Sequence, residues 1–126
     1  MKERPDQILR LLYEVAVNSV SAKLTIPKNL PEKPKGNTFI VGAGKASASM
    51  AKVLEERWEG PLNGIVVVPY DHKEETRTIE VMEAGHPIPD EKSAMASRRI
   101  MQSICGLTGE DLVIALISGG GSAALS

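Results

Sequence analysis

Aromatic rings are nearly absent: one Trp (Trp58), two Tyr (Tyr13, Tyr70) and one Phe (Phe39) make up 3% of the 126 residues. That excludes stacking platforms for single-stranded nucleic acid and argues against an aromatic-rich β-sandwich. Cysteine is reduced to Cys105, which has no internal disulfide partner and no companions for a structural zinc site. A reducing, cytoplasmic setting is expected. Neither sign of charge dominates, with 15 Lys and Arg against 16 Asp and Glu, so no broad basic surface for nucleic acid is expected. Long apolar runs are missing too. The longest, Leu112 to Ile117, has six residues, where a bilayer span takes about 20, and no membrane contact is expected. The opening Met1-Lys2-Glu3-Arg4-Pro5-Asp6 is charged and lacks the apolar stretch of a secretion signal. What remains is Ala, Val, Ile, Leu and Gly, and 42% hydrophobic residues suffice for one modest core.

Ile8, Leu11, Leu12, Val15, Ala16 and Val20 recur at three- and four-residue steps after Asp6, a candidate N-cap. Residues 7–22 therefore read as an amphipathic helix with one face to dock. Pro27, Pro31, Pro34 and Gly36 make residues 25–36 a connector laid across a surface. From Asn37 the texture changes. Thr38-Phe39-Ile40-Val41 predicts a strand, Gly42-Ala43-Gly44 a turn, and residues 45–58 a helix with Met50, Val53, Leu54 and Arg57 available for one face, closed by Gly60-Pro61. Gly64 to Val68 is fully apolar and predicts a strand covered on both sides. Residues 69–78 read as a solvated loop, with Glu74, Glu75 and Arg77 given no chemistry. Ile79, Val81 and Met82 suggest a third strand, Asp90 a cap for a helix to about Cys105, and Leu112 to Ile117 a fourth strand. Strand, helix, strand, strand, helix, strand is the rhythm of an α/β fold, a Rossmann-like parallel sheet with covering helices.

Two strands empty into glycine turns, and in a parallel sheet both turns lie at the carboxyl edge, where open α/β folds bind ligands. The first, Gly42-Ala43-Gly44-Lys45-Ala46-Ser47, fits a dinucleotide fingerprint poorly, because Ser47 stands where a third glycine is wanted and the nearest acidic residue, Asp71, lies too far on. It fails as a Walker A loop, because Phe39 and Ala46 replace the required glycine and hydroxyl. Lys45 at a helix start is disfavoured by the dipole unless an anion compensates, so it is either a phosphate or carboxylate partner or a solvated surface lysine. The second turn, Ser118-Gly119-Gly120-Gly121-Ser122, is either an anion cradle or a plain tight turn. In Gly85-His86-Pro87-Ile88-Pro89-Asp90, His86 either meets a substrate oxygen or makes a structural hydrogen bond within the rigid turn. Asp90 reads as a helix cap ahead of a base.

Taken in order, Val41-Gly42-Ala43-Gly44-Lys45-Ala46, then Gly85-His86-Pro87-Ile88-Pro89-Asp90-Glu91-Lys92-Ser93, then Leu116-Ile117-Ser118-Gly119-Gly120-Gly121-Ser122-Ala123 resemble the N-terminal region of the glycerate 2-kinase family. This is the tartrate-pathway type with a C-terminal MOFRL domain. The resemblance spans residues 37–126. It implies transfer of the ATP γ-phosphoryl group to the 2-hydroxyl of glycerate with Mg²⁺, in which positioning and charge neutralisation do most of the catalysis. On that pattern Lys45 neutralises charge on the transferred group. Gly42 and Gly44 belong to the first phosphate turn, while Ser118, Gly119, Gly120, Gly121 and Ser122 present the second to phosphate or to the glycerate carboxylate, and His86 lines the cleft. None of these positions is assigned to a metal, and a homodimer is compatible with the resemblance.

Family members run to several hundred residues. The expectation is therefore of residues 1–36 as N-terminal helix and Pro-rich connector, and of 37–126 as the first part of an incomplete Rossmann-like domain from a larger two-domain enzyme. Such a piece would lack metal-binding carboxylates and be inactive by itself. Two rivals stand beside the kinase: an NAD(P)-dependent hydroxypyruvate reductase, and a non-catalytic module that binds a phosphorylated metabolite.

Overall fold

The computed structural model describes residues 4–126; the opening Met1-Lys2-Glu3 lies outside the described residues. Four parallel strands, β1 (Thr38–Ala43), β2 (Leu62–Pro69), β3 (Ile79–Ala84) and β4 (Leu112–Ile117), form one sheet in the order β3-β2-β1-β4. The register sets Thr38 beside Leu62 on one side and beside Leu112 on the other. The α/β architecture predicted from the rhythm of elements is the one observed.

Side chains alternate across β2, and the two faces receive different helices. Val66 and Val68 join Ile40, Leu62, Ile79, Val81 and Leu116 in a cluster with α3 (Ser47–Arg57). Ile65 and Val67 join Ala43 and Ala84 in a second cluster with α4 (Glu91–Ile104). Both faces of β2 are thereby covered, as its uninterrupted apolar run requires. Ile26 and Leu30 of the connector pack against the first cluster, so the Pro-rich stretch does lie across a surface.

The structure corrects two expectations. The buried face of α3 is Ser47, Ala48, Ala51 and Leu54, whereas Met50 and Val53 are half-buried and Arg57 is exposed. Small residues let the helix approach the sheet closely, and close approach outweighs the bulk of Met50 and Val53. The first helix, α1 (Pro5–Ser19), is separate from a short α2 (Ala22–Thr25), and Arg4 rather than Asp6 occupies its N-cap, because Pro5 suits the first helical position. No residue of α1 is buried, so its apolar face does not dock. β4, the most apolar run in the chain, is an edge strand of this sheet, with Val113 and Ile117 exposed. No helix is long and apolar enough to cross a membrane among the described residues.

Candidate functional site

From β1 the chain moves to one side of the sheet for β2 and β3, then returns past β1 to place β4 on the other side. The strand order therefore reverses between β1 and β4, and the crevice at their carboxyl ends is where open parallel sheets bind ligands. The two glycine turns meet there. Ser118 N donates to Ala43 O at 3.1 Å, Lys45 N to Gly119 O at 2.9 Å and Ala46 N to the Ser118 hydroxyl at 2.9 Å. Just beneath, the buried Ser47 hydroxyl donates to Leu116 O at 2.7 Å.

The glycines divide by role. Gly44 has φ +126°, and a Cβ there would run into the carbonyl and hydroxyl oxygens of Ser118. Gly42 lies inside β1, where a Cβ would come 2.7 Å from Leu116 O, and a Cβ on Gly121 would come 2.8 Å from Ala43 O. These three let the two turns and strands close together, a packing requirement that needs no ligand. Gly120, with φ +86°, sits against the His86 ring: a Cβ there would lie 2.8 Å from both Cδ2 and Nε2. The side chains of three sequence-distant segments, at 45, 86 and 118, thus come from loops at one edge.

Most amides of these turns are already engaged, which narrows the predicted cradle. Gly44 N donates to Val67 O, Ser47 N to Gly44 O and Gly121 N to Ser118 O, in addition to those of Lys45 and Ala46. Of the three glycines of the second turn, Gly119 and Gly120 have amides without an acceptor among the described residues. Ser122 is exposed within the short α5 (Gly121–Ala124). Lys45 falls just ahead of the N-cap Ala46, is exposed, and has no ion-pair partner among the described residues. A backbone-held anion in this crevice would meet two free amides from the second turn, with the Lys45 backbone hydrogen-bonded to Gly119 next to them. Beside the turns lies a cleft of about 570 Å³ whose lining includes Val17, Val20, Met50, Val53, Ala46 and Ser118.

Sequence reasoning missed Tyr70. It follows the last residue of β2, and its hydroxyl donates to Asp90 Oδ2 at 2.5 Å. Asp90 caps α4 as expected, its Oδ1 accepting from Ser93 N at 3.1 Å and from the Ser93 hydroxyl at 3.2 Å. Both carboxylate oxygens are thus engaged, Oδ1 in the cap and Oδ2 with Tyr70. The Tyr70 hydrogen bond, with help from the Gly85 and Ser93 backbone, pulls the Asp90 carboxyl down to about 2. The same bond pushes the Tyr70 hydroxyl up. Lys92 Nζ stands 5.1 Å from the Tyr70 ring centroid. One signal for Tyr70 was available: a rare aromatic at the carboxyl end of a fully apolar strand. His86 makes no hydrogen bond within its turn among the described residues, against the structural alternative considered for it.

Phosphate fits the free amides and the cationic Lys45. Among the described residues no three His, Cys, Asp or Glu side chains gather into a metal-sized cluster. The dinucleotide alternative also fits poorly, since the amides of Lys45 and Ala46 at the first turn are spent on Gly119 and Ser118, and Ser47 fills the place of the third glycine.

A family model described as a domain of unknown function, DUF4147, matches residues 8–126. The chain belongs to the DUF4147 family. This DUF4147 chain is 48% identical over 120 residues to an Agrobacterium vitis protein bearing a provisional hydroxypyruvate reductase name, covering 94% of the chain and 27% of that protein. It is 39% identical over 89 residues to a glycerate 2-kinase of Pyrococcus horikoshii, covering 71% of the chain and 20% of the relative. Among solved structures, the glycerate kinase of Thermotoga maritima superposes with a TM-score of 0.80 at 32% identity, over 96% of the chain and 30% of that protein. The DUF4147 chain therefore spans about a quarter of the length of the curated relatives it matches.

Proposed function

We propose that the chain supplies the phosphate-handling edge of a glycerate kinase. The reaction joins the 2-hydroxyl oxygen of glycerate to the γ-phosphorus of ATP and breaks the bond from that phosphorus to the β,γ-bridging oxygen, releasing ADP and a proton. The observation that carries this reading is the interlocked pair of glycine turns at the strand-order reversal, which leaves the Gly119 and Gly120 amides without an acceptor among the described residues, Gly119 bonded to the Lys45 backbone and Gly120 against His86. Kinase names on relatives from separate organisms support it. Lys45 would neutralise charge on the transferred group, the two amides would hold phosphate or the glycerate carboxylate, and His86 would line the cleft. No step is assigned to Mg²⁺.

The same reading takes residues 1–36 as helix and connector and 37–126 as the opening part of a larger Rossmann-like domain, with further catalytic groups supplied elsewhere in a polypeptide of family length, the MOFRL domain included. The uncovered faces of α1 and β4 and the length of the relatives support this. A homodimer would bury part of α1, and a cytoplasmic location agrees with the free thiol of Cys105.

In a polypeptide of family length, Lys45→Ala should abolish ATP-dependent glycerate phosphorylation; undiminished turnover would overturn the assignment. The name carried by the 48% identical relative favours a second reading, hydroxypyruvate reduction. NADH oxidation on adding hydroxypyruvate would support that reading, and the engaged first-turn amides weigh against it.

A further inference from the structure

His86 reaches Gly120 without any hydrogen bond from its own ring among the described residues, so its position is set by the turn that carries it. That turn is gripped at both ends by one carboxylate. Asp90 closes it, and at its opening a Cβ on Gly85 would lie 3.1 Å from Asp90 Cγ. Oδ1 of this carboxylate is used in capping α4 through Ser93, and Oδ2 is held by the Tyr70 hydroxyl at 2.5 Å. Tyr70 directly follows β2, the strand covered on both faces and hydrogen-bonded to β1 and β3. The rigid centre of the sheet thereby has a direct link to the loop that bears His86.

We infer that Tyr70 and Asp90 are positioning residues, a clamp that holds the His86 turn against Gly120 and so sets the shape of the crevice at the β1–β4 reversal. The inference rests on the phosphate-binding reading of that crevice. Capping of α4 needs only Oδ1, and packing in the aromatic-poor interior does not involve an exposed tyrosine; neither explains why Oδ2 is tied to β2. A hydrogen bond from a neutral hydroxyl to a carboxylate is short and directional, suited to fixing a loop and not merely filling space.

Tyr70→Phe removes the link while leaving the cap, the ring and its contact with Lys92. The 126-residue chain would be examined by NMR in both forms, following the His86 ring and the Gly119 and Gly120 amides without ligand and during titration with inorganic phosphate. The expected result is a displaced or broadened His86 ring and Gly120 amide in the ligand-free variant, phosphate binding weakened about threefold, and α4 amides unchanged. His86 and Gly120 signals identical to those of the parent chain would overturn the clamp, whatever phosphate does. A parent chain whose Gly119 and Gly120 amides ignore phosphate would instead overturn the anion-site reading, and the ligand-free comparison would still decide the clamp. Asp90→Asn gives an independent check, because asparagine caps a helix about as well as aspartate. It replaces the charge-assisted bond to Tyr70 by a neutral one, so it should move His86 in the same direction as Tyr70→Phe but less far, and a variant that shifts only α4 would count against the clamp.

Discussion

The two edges of the sheet solve the same problem, unpaired backbone groups at strand ends, in opposite ways. At the amino edge, carboxylates do it. Glu55 of α3, with its side chain only 5% exposed, accepts from Arg77 N at 2.7 Å, Thr78 N at 2.8 Å and Ile79 N at 2.7 Å, tying the loop before β3 to the helix. Asp111 accepts from Asn37 N and Thr108 N, both at 2.7 Å, and joins the starts of β1 and β4. At the carboxyl edge the glycine turns bond mainly to each other, and the amides of Gly119 and Gly120 are left over. One edge ties its donors to carboxylates; at the other, two amides have no acceptor among the described residues, next to the Lys45 backbone and the His86 ring.

That contrast can be broken most severely at Gly44. Gly44→Ala puts a side chain at φ +126° and against Ser118, and should destabilise the fold by about 3 kcal/mol, read as a lowered urea midpoint. Next comes the amino edge. Glu55→Ala strands three backbone donors, that of the buried Ile79 among them, and should destabilise by about 2 kcal/mol without altering phosphate binding at the other edge.

The pH dependence follows from the same group. Burial pushes the Glu55 carboxyl up, but the hydrogen bonds from Arg77, Ile79 and Thr78 outweigh it, and the net direction is downward from 4.5. A carboxylate depressed in the folded state contributes stability that is present above its unfolded value and is lost as pH falls through the folded one. Urea midpoints should therefore decline below about pH 4.5, and Glu55→Ala should flatten that decline. The smallest effect on stability belongs to Lys45→Ala, within about 0.5 kcal/mol, because the side chain is exposed and unpaired among the described residues. A phosphate titration should nevertheless lose its response. A large fall in stability from Lys45→Ala would erase the distinction between the two edges.

Local signals carried much of this. The apolar run of β2, the capping Asp90 and the prolines of the connector each act over a few residues, and each is found where its chemistry predicts. The face of α3 was misread because bulk suggests burial when only one helix is considered, whereas the sheet beneath admits only Ser47, Ala48, Ala51 and Leu54 at close range. Glu55 looked like any surface glutamate. Its three partners lie more than twenty positions away, and no spacing rule reaches that far.

The candidate site divides along the same line. Glycine at 42, 44, 119, 120 and 121, lysine at 45 and histidine at 86 are visible in the sequence as turn-formers and chemical groups, because backbone permissiveness and charge belong to single residues. By itself the sequence determined a parallel α/β sheet with glycine turns at its carboxyl edge. Only the tertiary structure decided that β4 returns to lie beside β1, so that the turns engage most of each other's amides, leave those of Gly119 and Gly120 without an acceptor among the described residues, and set Gly120 against His86. The physical reason is that a hydrogen bond has one donor and a few acceptors within about 3 Å, and which of them come that close is settled by the packing of the whole sheet.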